Sequence, residues 1–497
     1  LPWLKRKHAI SIEISTIVFW RGLLMKKTNI LLLVADQWRG DTLGCAGHEV
    51  VQTPNLDALA ARGFCFKNAY SAVPSCIPAR ASLITGQSQN RTGIYGMGLG
   101  QKPMRDDYEH TLPGDLAQAG YHTQGIGKMH FHPQRALNGF HNTILDESGR
   151  VADPGFVSDY RSWFEENKPK GAGYRDHGLD WNCSWLARPT HLPEWLHPTH
   201  WTAEQSIRWL YRRDPNKPFF LMTSFARPHS PFDPPQVYFD LYQDLQMPAP
   251  YVGEWAQIHE SPQDAASITA WRGKRTEREV QRARRGYYGS ITFIDYQIGR
   301  LLHELQRYHR EAYENTWIIF TADHGEMLGD HHLWRKTYGY EGSANIPLIV
   351  CPPPTWQGKR GIVLDAVVEL RDLMPTILDI CGIKIPETCD GLSFLPLLQG
   401  ENPPWREYLH GEHCLCYSHE QAMHYLTDGK EKYIWFPYLG TEQLFDLVND
   451  PGEEVDLAAK PEYKERLELW RKRLVSELAA REGLVKGGRL QKKPIPD

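Results

Sequence analysis

The chain has 497 residues, a formal net charge of −4 at pH 7, and an aromatic complement that includes 17 Trp and 23 Tyr. That length can bury a large core, and the near-balance of charge calls for neither a nucleic-acid partner nor an anionic membrane surface. No apolar run approaches the ~18 residues of a membrane span, and the 9 cysteines are too scattered to form a disulfide scaffold.

Residues 1–24 hold a short apolar patch, Ile10 to Trp20, broken by Glu13 and preceded by Lys5-Arg6-Lys7-His8. The order resembles that of a signal peptide, but no small-residue cleavage site follows it. Met25-Lys26-Lys27 leads straight into an apolar run. The expectation is that Met25 is the natural start, that residues 1–24 are an upstream or expression-derived extension, and that the protein is cytoplasmic, a periplasmic location being the alternative.

Asn29 to Ala35 is a continuous apolar run closed by Asp36. That is the pattern of a central parallel strand with a polar group at its carboxyl end, where sites collect in open α/β sheets. Thr53 to Ala61 predicts a helix with Pro54 near its start. Ser75-Cys76-Ile77-Pro78-Ala79-Arg80 opens another. Pro78 suits a first turn, which needs no amide hydrogen. Cys76 then lies at the positive end of the helix dipole, which favours an anion. Arg80 is one turn on, so its guanidinium returns to the same face.

A helix over Leu112 to Gln118 precedes a strand over His122 to Gly127. Lys128 and His130 follow, two residues apart on an expected extended segment that projects both to one side. Asp180 to Trp201 carries Trp181, Trp185, Trp195 and Trp201 with His191, His197 and His200. It reads as local core under a long loop, the alternative being the lining of a sugar-sized pocket. A strand over Pro218 to Thr223 leads to Arg227-Pro228-His229-Ser230-Pro231-Phe232. Tyr287, Ile291, Ile294, Ile298, Leu301 and Leu305 give residues 280–310 a helical period. Thr316 to Thr321 is a strand ending near Asp323-His324. Asp330-His331-His332 leads on to Lys336, and Asn345 to Cys351 supplies a further strand.

This alternation predicts an α/β domain over residues 25–385, a large doubly wound, mostly parallel sheet flanked by helices. Residues 386–497 change character and predict a smaller C-terminal α+β domain. Its expected strands are 407–410, 424–426 and 432–436, followed by an acidic, turn-rich stretch over 442–457 and a terminal helix over 463–481. Cys414 and Cys416 are poorly spaced for zinc and read as strand residues facing one side. Glu412 and His413 are candidates to reach the site from this second domain.

Cys76-Ile77-Pro78-Ala79-Arg80 followed by Ala81-Ser82-Leu83-Ile84-Thr85-Gly86 resembles the C-x-P-x-R signature of the type I sulfatases, members of the alkaline phosphatase superfamily. Other elements resemble that family in order. They are Asp36-Gln37, Gly127-Lys128-Met129-His130, Pro228-His229-Ser230-Pro231, Asp323-His324-Gly325, Lys336, and the stretch Leu444-Phe445-Asp446-Leu447-Val448-Asn449-Asp450-Pro451-Gly452-Glu453. The resemblance runs from Lys27 to about Arg481.

It implies that a formylglycine-generating enzyme oxidises Cys76 to formylglycine, an aldehyde hydrated to a gem-diol. It also implies a divalent cation held by Asp36, Asp323 and position 76, with His324 as a ligand or an orienting group. Many sulfatases carry a second aspartate where this chain has Gln37, and choline sulfatases and phosphonate monoester hydrolases share the Asp-Gln pair. An all-oxygen site favours calcium, whereas an imidazole ligand tilts toward manganese or another transition ion.

The resemblance assigns roles that suit a charged, unreactive ester. A diol hydroxyl activated by the cation attacks sulfur. Arg80, Lys128, Lys336 and the cation hold the developing charge. His229 protonates the leaving alcohol, and His130 deprotonates the remaining hydroxyl so that sulfate leaves. The expected substrate is an aryl or carbohydrate sulfate. A phosphonate or phosphate diester hydrolase is the alternative, favoured by Gln37 and His324 and opposed by Lys128 and His130. A non-catalytic sugar-binding relative would need a broken motif, and none is broken. Oligomerisation is left open.

Overall fold

The computed structural model describes residues 27–98, 103–260 and 267–495. The expected extension over 1–24 and the start at Met25 lie outside the described residues. Strand β1, Asn29–Asp36, is buried along its whole length. Side chains alternate between the two faces of a strand, so complete burial means that both faces of the sheet are covered at this point.

The other strands of the main sheet are β2 (Phe64–Phe66), β3 (His122–Gly127), β4 (Asn142–Leu145), β5 (Phe219–Pro228), β6 (Thr316–Ala322), β7 (Leu348–Cys351) and β8 (Ile362–Leu364). Their order is β4-β3-β5-β1-β6-β7-β2-β8. All neighbours run parallel except those of β7, which is antiparallel to both β6 and β2. Among the helices are α1 (Pro54–Ala61), α2 (Cys76–Thr85), α3 (Leu112–Gln118), α4 (Pro198–Arg212), α5 (Glu277–Tyr308), α6 (Leu373–Ile380) and α7 (Lys464–Glu477). α4 and α5 pack on each other and on β5.

Helix α5 starts three residues before the expected position, because Thr276 and Glu279 form a reciprocal capping box ahead of the apolar stripe. Helix α4 was hidden in the tryptophan-rich segment. Pro198 occupies its first turn, and the His197 side chain accepts a hydrogen bond from Thr199 N. Trp201 of that helix joins a small core with Tyr160, Phe164, Leu192 and Leu196.

Near the C-terminus, β9 (Leu409–His413), β10 (Met423–Thr427), β11 (Glu431–Phe436) and β12 (Thr441–Asp446) form an antiparallel sheet. Leu426, Tyr433, Trp435 and Leu444 pack with Leu467, Trp470 and Leu474 of α7. Their neighbours Tyr425, Ile434 and Phe445 face the other way, against Tyr70, Met327, Tyr338 and Tyr340 of the larger layer. β12 falls where the sequence suggested only an acidic turn, since its alternation covers just a few residues. Cys414 and Cys416 lie beyond the end of β9 and not within it, so the strand-face reading of that pair is wrong. No described helix is long and apolar enough to cross a membrane.

Candidate active site

The parallel strands bring their carboxyl ends to one edge. Asp36 ends β1 and stands in register with Pro228 of β5. Lys128 follows β3, His229 follows β5, and Asp323 and His324 follow β6. The N-terminus of α2 presents Cys76 to the same place. Its N-cap, Ser75, is extended and makes no cap bond, because its Oγ lies 2.9 Å from His413 Nε2.

Cys76 Sγ lies 3.2 Å from His324 Nε2, 3.4 Å from Lys128 Nζ and 3.5 Å from Asp36 Oδ1. Lys128 Nζ also donates to Asp36 Oδ2. Asp36, Cys76, Asp323 and His324 each offer an atom within 4.8 Å of the others. His324 Nδ1 faces Gly325 O at 2.9 Å, which places a proton on Nδ1 and leaves Nε2 as the nitrogen that faces the cluster. Two carboxylates, an imidazole nitrogen and position 76 form a donor set that fits a divalent cation. The Cys76 sulfur marks where the oxygen of a formylglycine would stand.

Arg80 is 1 % exposed, so each of its bonds matters. Its Nε donates to Asp323 Oδ2 at 2.8 Å, and Nη1 donates to Lys128 O at 2.5 Å and Ser224 Oγ at 3.0 Å. Its Nη2 is buried without a partner, which leaves both N–H groups of that nitrogen free for an anion.

On the opposite side, Lys336 Nζ donates to Gln37 Oε1 at 2.8 Å and lies 2.6 Å from His229 Nε2. Gln37 Nε2 donates to Glu326 Oε2 at 2.5 Å. The Gln37 amide is thereby bonded to Lys336 and Glu326, while its backbone nitrogen donates to Asp323 Oδ1 at 3.1 Å. His229 Nδ1 faces Ser230 O at 3.1 Å, while Nε2 also meets Arg150 Nη2 at 3.2 Å. Burial and the neighbouring Lys336 charge hold His229 well below the usual histidine range. It is a neutral acceptor at Nε2.

Gly127 ends β3, and the chain does not stay extended beyond it. His130 has φ 59°, in the left-handed region. The Glu147 carboxylate holds this turn by accepting from Met129 N at 3.0 Å and His130 N at 2.9 Å. The expectation that extension aligns Lys128 and His130 is therefore replaced by a tight turn. Burial and the Lys128 charge lower His130 to about 4.

Burial works against an ionised Asp36, but Lys128, His229 and His324 outweigh it and hold that carboxyl well below the usual range. Burial and the charge of Asp36 raise Asp323. Burial opposes a charged His324, yet Asp323 and Cys76 lift it to about 9. For the Cys76 thiol, burial and Asp36 act upward, but Lys128, Lys336 and His324 prevail and bring it well below the ordinary thiol.

Several residues at the site carried no sequence signal of a role. Glu326 accepts from Gln37 and from the backbone nitrogens of Leu328 and Arg335 at 2.9 and 2.5 Å. Ser224 lies inside a strand, and Arg150 and Glu147 lie in the loop after β4. Of the tryptophan segment, Trp181 comes to the site, with Arg150 Cζ 4.8 Å from its ring centroid. His197 caps a helix, and His200 lies 3.3 Å from Arg300. Glu412 is bound by both terminal nitrogens of Arg481, each at 3.0 Å, while its neighbour His413 reaches Ser75.

Residues 28–383 match the family model for sulfatases, and residues 329–480 match that for the C-terminal part of N-sulphoglucosamine sulphohydrolase. The chain is similar to an arylsulfatase of Clostridium perfringens, 45% identical over 478 residues that cover 94% of this chain and 98% of the relative. It is also similar to a choline-sulfatase of Rhizobium meliloti, 32% identical over 455 residues, 88% of this chain and 83% of the relative. A crystal structure of the phosphonate monoester hydrolase of Agrobacterium radiobacter superposes with a TM-score of 0.73 at 25% identity, over 94% of this chain and 100% of that one. A structure solved in complex with its substrate D-glucosamine-2-N,6-O-disulfate shares the fold, with a TM-score of 0.70 at 22% identity over 91% of this chain and 98% of that one.

Fold and site together define a hydrolase of the alkaline phosphatase superfamily. Within it, this chain belongs to the sulfatase family and hydrolyses sulfate esters. That family implies a metal ion and a formylglycine, and the four converging donors, Cys76 among them, are a possible place for both.

Proposed function

We propose that the protein cleaves an aryl or carbohydrate sulfate with a formylglycine made from Cys76 and a divalent cation held by Asp36, Asp323 and His324. The observation that carries this reading is the convergence of those carboxylates and that imidazole on Cys76, ringed by Lys128, Arg80 and Lys336. When bound, the cation would lower the pKa of a hydroxyl on residue 76 and offset sulfuryl charge. Calcium suits the two carboxylates, and manganese is the alternative that the His324 nitrogen favours. Elemental analysis of the purified protein distinguishes them.

Arg80, Lys128 and Lys336 orient the sulfuryl oxygens and balance their charge. The proton between Lys336 Nζ and His229 Nε2 is the one delivered to the leaving oxygen. That assignment moves the proton from His229 alone to a pair. His130 is neutral at working pH and accepts a proton from residue 76. Burial of Cys76, Lys128, His229 and Lys336 excludes bulk water and strengthens each of these interactions. The arylsulfatase relative supports an aryl ester, and the disulfated glucosamine bound by the fold relative supports a saccharide.

The test joins two measurements. Peptide mass spectrometry of protein from a host with a formylglycine-generating enzyme should find the aldehyde at position 76. Cys76→Ala should abolish turnover of an aryl sulfate. Activity that persists in this variant would overturn the proposal.

A further inference from the structure

Arg39, Arg227 and Arg284 are buried, and each sits on an aspartate, at 2.7, 2.8 and 2.8 Å respectively. Arg150 and Arg335 differ. Both are half-buried at the edge of the active site, where the buried residues give way to partly exposed ones. Among the described residues, every hydrogen bond that their guanidiniums make goes to a neutral group. Arg150 Nη1 reaches Glu147 O at 3.5 Å and Nη2 reaches the neutral His229 at 3.2 Å. Arg335 Nη2 reaches Trp181 O at 3.4 Å, and its Nε is buried with no partner.

Aromatic faces hold both groups in place. Arg150 Cζ lies 4.8 Å from the Trp181 ring centroid, and Arg335 Cζ lies 5.7 Å from that of Tyr417. Trp181 therefore links the two, offering its ring to one guanidinium and its carbonyl to the other. Tyr417 is braced from behind by Trp271, stacked at 5.7 Å and 13°. Arg335 is adjacent in sequence to Lys336, and its backbone nitrogen is pinned by Glu326 at 2.5 Å. Both arginines therefore adjoin the His229–Lys336 pair, Arg150 through its contact with His229 Nε2 and Arg335 as the residue before Lys336.

A sulfate monoester brings one negative charge, and Arg80, Lys128 and Lys336 already stand around it. Arg150 and Arg335 add two further cations; they feel the charges of Asp146 and Glu326 respectively, but among the described residues neither guanidinium is bonded to a carboxylate. Their planar forks are suited to a second oxyanion, bound through paired N–H donors and kept ready by the stacking.

We propose that Arg150 and Arg335, with Trp181 and Tyr417, form an anion subsite that selects sulfate esters whose leaving alcohol carries a second negative charge, a carboxylate or another sulfate. The proposal rests on the sulfatase reading above and names its substrate class, an anionic saccharide or an acidic aryl sulfate. The rings of Trp181 and Tyr417 would meet the body of that alcohol.

The experiment compares 4-(sulfooxy)phenylacetate with its primary amide, two esters that differ in remote charge and keep the same phenolic oxygen. The wild-type protein should favour the carboxylate by about tenfold in kcat/KM, the size of one charge-assisted hydrogen bond. Added salt should shrink that preference. In Arg335→Gln the ratio of the two values should fall toward unity, and Arg150→Gln should move it in the same direction. Because the ratio is taken within each protein, a general loss of activity cancels. A wild-type ratio near unity, or one unchanged by salt and by Arg335→Gln, would overturn the subsite. A wild-type protein that hydrolyses neither of these esters nor a sulfated glucosamine would instead sink the sulfatase chemistry beneath it.

Discussion

Asp330 lies in the loop that leads to Lys336, and Asp330→Asn tests whether buried charge holds that loop. Its Oδ2 accepts from Arg39 Nη1 at 2.7 Å, and its Oδ1 accepts from Arg284 Nη2 at 2.8 Å and from Tyr251 N at 3.1 Å. All three charged side chains are at most 6% exposed. Asparagine keeps the shape but leaves two guanidiniums facing an uncharged amide. Breaking a buried pair in this way costs about 3–5 kcal/mol. Arg39 also binds the half-exposed Asp41, which offsets part of its charge and favours the lower end of that range. With an unfolding entropy of roughly 2.1 cal/mol/K per residue over the 497 residues, each kcal/mol shifts Tm by about 1 °C. The expected loss is about 3–5 °C in a thermal melt followed by circular dichroism. Asp107→Asn, which breaks an exposed pair with Arg105, is the control and should leave the melt unchanged. A Tm for Asp330→Asn within about 1 °C of wild type would refute the reasoning.

Two further outcomes follow from the geometry. Lys336→Met removes the donor shared by His229 and Gln37, and kcat/KM on an aryl sulfate should fall about 10²–10³-fold. A fall of less than about tenfold would show that Lys336 does not bear on the transition state. His410 and His424 are each lowered from 6.5 to about 3, mainly by burial. Between those values the unfolded chain binds protons that the folded one refuses, so stability rises with pH and is lost as pH falls from 6.5 toward 3. Replacing both with Gln should flatten the pH dependence of urea unfolding by up to about two protons; an unchanged slope would contradict it.

Local pattern carried a large part of the fold. The apolar run from Asn29 to Asp36 announced a strand covered on both faces, and the structure buries all of it. The period of Tyr287, Ile291 and Ile294 announced α5. Such signals survive in one dimension because strands and helices repeat every two or 3.6 residues. β12 and α4 escaped because a short strand among acidic residues, or a helix opening amid tryptophans and histidines, has too few repeats to stand out.

By itself the sequence determined the elements that end at the site and the chemical types placed there, Asp36, Cys76, Arg80, Lys128, His229, Asp323, His324 and Lys336 among them. Spacing within short motifs is enough for that. What only the tertiary structure decided was the partnership between distant segments. Gln37 turns to Lys336 and Glu326, His130 takes a left-handed turn pinned by Glu147, and His229 shares its Nε2 with Lys336 and Arg150. Arg335 and Arg150 meet around Trp181 although 185 positions separate the two arginines in the numbering. A side chain's charge partner is chosen by which strand ends and loops the sheet brings together, and that choice has no periodic trace along the chain.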